Sequence, residues 1–150
     1  MNVMHKERLV KSVALLSFVV AALSAHGPAH ADNSDHAKAT CAWADLDTVK
    51  AAPENHKVIF ENEHVRVLEV TIAPHSKESV HAHCWPSTLY IQQAGDSIDR
   101  DATGKILFDS RQLQVKPKVP FVSWMPPQGP HAVENHDDLP MKLIRIENKH

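Results

Sequence analysis

Two histidines, His81 and His83, stand one residue apart near the middle of this chain. On an extended strand alternate side chains share a face. The two imidazoles therefore project together, about 6.6 Å apart at a rise of roughly 3.3 Å per residue. A third, His131, follows 48 residues later in the run Pro126-Pro127-Gln128-Gly129-Pro130-His131. Imidazole is accepted by most first-row divalent metals. Two rings from one strand and a third from a neighbouring strand make a facial set around one ion. The chemistry open to these residues is metal binding, and the spacing names no reaction.

The segments that must position them read as short strands and turns. Val58-Ile59-Phe60 and Val65 to Ile72 are β-branched and apolar, and Glu61-Asn62-Glu63-His64 between them makes a hairpin. Ser79 to Cys84 and Thr88 to Gln93 follow as strands. Ala94-Gly95-Asp96 and Asp101-Ala102-Thr103-Gly104 are turn signals. Ile106-Leu107-Phe108, Val119 to Trp124, Ala132-Val133 and Met141 to Ile146 supply the rest. Ten prolines fit turns better than helices. The one helical expectation is a short turn over Ala44 to Ala52, with Asp47 or Thr48 to cap it. About eight regularly spaced strands predict an all-β antiparallel sandwich or jelly-roll barrel, whose inward face can form a pocket.

The amino terminus reads differently. Lys6, Arg8 and Lys11 precede an apolar run of 13 residues, Val13 to Ala25, and Ala29-His30-Ala31 offers a cleavage site. This is the pattern of a secretory signal peptide over 1–31, and the run is shorter than the ~20 residues a spanning helix needs. The expected address is periplasmic or secreted, with no membrane attachment after cleavage. Residues 32–55 then form a lead-in segment, and 56–150 the barrel domain. Without the leader the formal charge is −4, from 13 basic against 17 acidic residues. Such a balance argues against nucleic acid, whose phosphates attract clustered Lys and Arg. Cys41 and Cys84 both lie beyond the leader. In an oxidising compartment they could pair, or they could remain thiols.

At these residues the chain resembles the cupin superfamily. The first cupin motif runs G-x5-H-x-H-x3,4-E-x6-G. His81-Ala82-His83 supplies its histidine pair and Gly95 its closing glycine, while His75 stands in the opening glycine's place and Thr88 in the glutamate's. The second runs G-x5-P-x-G-x2-H-x3-N. His131 and Asn135 match its end, with Pro127-Gln128-Gly129 reaching His131 one residue early. The resemblance covers roughly residues 56–147. It implies a double-stranded β-helix, metal ligands at His81, His83 and His131, and often a homodimer. It also implies a divalent cofactor: iron, zinc, copper, nickel or manganese. Three imidazoles without the glutamate leave open positions, as in cupins of the thiol dioxygenase kind.

Around that centre Thr88, Tyr90 and Gln92 share one strand parity and line the pocket if Thr88 does. Arg145 could hold a substrate carboxylate. Asn135 could orient a ligand imidazole from behind. Cys84, of opposite parity to His83, faces away, and Trp124 belongs to the core. Two functions follow: a metal-dependent, oxygenase-like enzyme on a small molecule, or a non-catalytic periplasmic module that binds a small ligand or metal.

Overall fold

The computed structural model describes residues 41–149; the signal-peptide reading over 1–31 lies outside them. After a 3-10 turn at Ala44–Leu46 comes a one-turn helix, α1 (Thr48–Ala51), then nine strands. They are β1 (His56–Glu61), β2 (Val65–Ile72), β3 (His81–His83), β4 (Ser87–Gln93), β5 (Ser97–Asp101), β6 (Ile106–Asp109), β7 (Phe121–Met125), β8 (Gln128–Asn135) and β9 (Met141–Asn148). They form a five-stranded sheet, β1-β2-β9-β4-β7, and a four-stranded sheet, β3-β8-β5-β6. Every strand pairing is antiparallel. Among the described residues no helix is long and apolar enough to cross a membrane.

Strand alternation decides what each face carries. On the inner face of the larger sheet, Leu68, Val70 and Ile72 of β2 stand opposite Arg145, Leu143 and Met141 of β9. Leu89 and Ile91 of β4 continue those rows. Leu68 is fully buried, which contributes about 1.5–3 kcal/mol relative to an exposed leucine. The outer face carries a transverse row, Phe60–Val67–Ile146–Thr88–Trp124. Trp124, expected in the core, is 62% exposed there: its even position on β7 turns it outward, while Ser123 and Met125 turn in.

The predicted helical turn is present, and Asp47 caps it by accepting from the Val49 amide at 3.2 Å. The β1–β2 hairpin is present as expected. The strand missed in the sequence is β5, whose Asp99, Arg100 and Asp101 hide its alternation. Two motif positions show why residue type matters. A Cβ at Gly95 would lie 2.9 Å from Asp137 Cβ, so only glycine fits that turn. His75, in the place of the opening glycine, keeps the left-handed backbone that glycine would adopt, with φ 50°.

Candidate metal centre

β3 and β8 pair with His81 opposite His131, so the sheet itself gathers the three predicted histidines. Ring centroids lie 4.6 Å apart for His81–His131, 5.0 Å for His81–His83 and 5.7 Å for His83–His131. A fourth ring joins them. His56, at the start of β1, packs 4.6 Å from His81 and 5.4 Å from His83. Ligand nitrogens of His56, His81 and His83 fall within 4.8 Å of one another, so the tight group takes in His56 and leaves the predicted ligand His131 at its edge, in ring contact only. All four histidines are buried.

Each of the four rings is anchored through Nδ1. His56 Nδ1 lies 3.1 Å from the Ala52 carbonyl, His81 Nδ1 2.9 Å from that of Ser79, and His131 Nδ1 2.9 Å from that of Gly129. His83 Nδ1 lies 2.7 Å from Glu147 Oε1. A carbonyl or carboxylate oxygen accepts, so Nδ1 carries the proton and Nε2 keeps its lone pair. Burial also keeps the rings neutral. It lowers His56 to about 4, aided by nearby Arg145, and His81 to about 3, aided by His131 and His56. His83 and His131 are lowered for the same first reason. A cluster of neutral buried imidazoles with free Nε2 atoms is a donor set that fits a divalent metal.

Behind His83 runs a buried charge chain. Glu147, fully buried, accepts from Arg66 Nε at 2.6 Å through its other oxygen. Arg66 in turn donates to both Asp47 oxygens at 2.9 Å. Asp47, the α1 cap, also bridges its backbone to Ala82 between the two motif histidines. The lead-in segment therefore holds the histidine-bearing strand β3 from outside, and a Cys41–Cys84 disulfide with a Cα–Cα distance of 5.3 Å ties it down. That disulfide resolves the two readings left open by the sequence, and it leaves Cys84 outside the cavity wall.

In front of the rings lies a cavity of about 170 Å³, lined also by Glu78, Asp99, Gln128 and Arg145. Each of these four has a buried polar atom without a hydrogen-bond partner among the described residues: Glu78 Oε1, Asp99 Oδ1, Gln128 Oε1 and Arg145 Nη2. Glu78 and Asp99 flank Val133 of β8 on either side. Burial raises Glu78 to about 8 and Asp99 to about 6, and lowers Arg145 to about 10.

No protein-family model and no curated relative matches the sequence. Solved structures do. A cupin domain from Bordetella pertussis Tohama I superposes with a TM-score of 0.52 at 20% identity, covering 63% of this chain and 92% of its own. The fold is that of a cupin. An RmlC-like cupin from Methanocaldococcus jannaschii aligns at 11% identity and a TM-score of 0.46, over 62% of this chain and 77% of its own. A double-stranded β-helix protein from Klebsiella pneumoniae aligns at 15% identity and a TM-score of 0.46, over 63% and 75%.

The cupin frame also corrects the pocket wall. Thr88, Tyr90 and Gln92 do not line it: Ser87, Leu89 and Ile91 pair with the inward Glu147, Arg145 and Leu143. The even positions therefore face out, with Tyr90 41% exposed. On the shorter spacing of the first motif, the glutamate's place falls on inward Ser87, whose hydroxyl accepts from Arg145 Nε at 3.0 Å. Asn135 does not orient an imidazole. Its Nδ2 donates to the carbonyls of Ile72, Ala73 and Leu139, closing the loops at the other end of β8. Arg145 does reach the cavity. His56, Glu78, Asp99 and Glu147 escaped the sequence reading. The signal for Glu147 was present, since Met141, Leu143, Arg145 and Glu147 share one parity.

Proposed function

We propose that this cupin binds one divalent transition metal between His56, His81, His83 and His131 and uses it in an oxygenase-like reaction on a small molecule in the barrel. The observation that carries the reading is the anchoring of all four Nδ1 atoms, which leaves each Nε2 as the nitrogen with a lone pair; that of His56 lies 3.7 Å from Glu78 Oε1. When bound, the ion supplies Lewis-acid or oxygen-activating chemistry. The protein's own groups do the rest. Arg145 Nη2 orients an anionic oxygen of the substrate, and the unpaired oxygens of Glu78 and Asp99 hold or accept a proton beside it. Apolar walls at Leu89 and Leu143 limit water. Export belongs to the same reading, supported by the leader pattern over 1–31 and by the Cys41–Cys84 bond, which suits an oxidising compartment.

The second reading is a non-catalytic periplasmic module. One observation favours it: four imidazoles are enough to close a tetrahedral zinc site. Nitric oxide separates the two. Anaerobic protein loaded with iron(II) is expected to give the spin-resonance signal of an iron–nitrosyl, absent from His81→Ala/His83→Ala. Iron that binds without any nitrosyl signal would mean a closed centre and would overturn the enzymatic reading.

A further inference from the structure

The metal cavity is one end of a longer space. Leu89, Ser97, Phe108, Met141 and Leu143 line both it and a second cavity of about 330 Å³. The two therefore adjoin inside the barrel, and their walls differ in kind. The first gathers four imidazoles, two carboxylates and a guanidinium. The second is walled by Ile91, Leu113, Val119 and Phe121, with Lys116 and Asp137 among its few charged neighbours. The register of the larger sheet shows the same gradient. Its rows run from Arg66–Glu147–Ser87, through Leu68–Arg145–Leu89, to Val70–Leu143–Ile91 and Ile72–Met141. At the far end Phe108, Leu113 and Val119 are 48%, 40% and 46% exposed, so apolar side chains stand in water around a cavity with an apolar wall. Small-molecule sites have this composition, apolar walls with a few convergent polar groups.

At the polar end the unpaired atoms specify a head group. Arg145, 5% exposed, aims an unpaired Nη2 donor into the cavity, Asp99 offers an unpaired oxygen there, and Glu78 Oε1, which makes no hydrogen bond, lies 3.7 Å from His56 Nε2. A buried polar atom without a partner is costly, so a ligand that supplies both partners gains on both counts. Arg145 calls for an anionic oxygen. Asp99 calls for a hydroxyl or amino donor, and the Glu78 carboxyl, held neutral near pH 7 by burial, can donate to or accept from the same group.

We propose that the molecule this cupin acts on is a small amphipathic acid: its head carries an anionic oxygen and a hydrogen-bond donor at Arg145, Glu78 and Asp99, and its apolar tail lies in the second cavity. The head end rests on the metal-dependent reading above; the tail end rests on the second cavity alone.

Calorimetric titration of purified protein, metal-free and zinc-loaded, with lactate, α-hydroxybutyrate, α-hydroxyhexanoate and α-hydroxyoctanoate tests it. Affinity is expected to rise about fourfold per methylene. The methyl ester of α-hydroxyoctanoate, which lacks the anionic oxygen, is expected to bind at least tenfold more weakly than the acid. Leu113→Asp is a substitution at a position 40% exposed, with its fold checked by circular dichroism. It is expected to weaken α-hydroxyoctanoate at least tenfold while leaving zinc affinity unchanged. Zinc binding with a flat tail series, or a tail series untouched by Leu113→Asp, overturns the inference and leaves the metal centre standing. A rising tail series in a protein that takes up no zinc supports the tail cavity and removes the metal reading instead.

Discussion

Glu147 is the residue on which the orientation of His83 depends. One carboxylate oxygen takes the His83 Nδ1 proton and the other takes Arg66 Nε. Glu147→Gln leaves the shape almost unchanged and removes the charge. Arg66 and Arg145 then lose a shared anion in a buried place, where breaking such a pair costs about 3–5 kcal/mol. The His83 tautomer also loses its strongest acceptor, an effect of about 10–100-fold on metal affinity. Zinc titration and urea unfolding of Glu147→Gln are expected to show both losses; unchanged affinity would detach Glu147 from the centre. At this scale the H-x-H pair and His131 were legible, because strand alternation and motif spacing place them. His56 was not: its ring is held against the others by its bonds to the Ala52 carbonyl at the end of α1, a helix that touches both β1 and β3, which local sequence does not express. Thr88 was misplaced for a different reason. Motif spacing put it inward, while the plain alternation of Leu89 and Ile91 with Thr88, Tyr90 and Gln92 pointed the other way, and alternation was right.

Among the elements, the lead-in segment matters most. It is short and carries one turn of helix, yet it delivers Asp47 to Arg66 and to the backbone of Ala82. The bond Cys41–Cys84 closes a loop with a sequence separation of 43, which in the chain-entropy account contributes roughly 4 kcal/mol. Cys41→Ser/Cys84→Ser is expected to lower the urea midpoint accordingly. It is also expected to weaken metal binding, because Asp47 and hence Arg66 and Glu147 lose their tether. Full stability and affinity without the bond would show that the segment docks unaided. Most strands were legible in the sequence, since apolar β-branched runs between turn residues leave little choice. β5 was not, because its inward positions are Ser97 and Asp99, polar residues that serve the cavity and mask the strand.

The described residues form a barrel with a chemical gradient along its axis, charged and imidazole-rich at one end and apolar at the other. The all-β fold and its jelly-roll class could be read from strand count, turn spacing and the two motifs. The gradient could not, because it arises from which rows of two sheets face each other. At this scale everything turns on whether the buried imidazoles hold a metal. The measurement that tests it most directly is the metal content of untagged protein beside His81→Ala/His83→Ala, as isolated and after reconstitution with iron and with zinc. Close to one equivalent of metal per chain is expected in the parent protein and none in the variant, with both folded by circular dichroism. A folded parent protein that takes up no metal under either condition would contradict it.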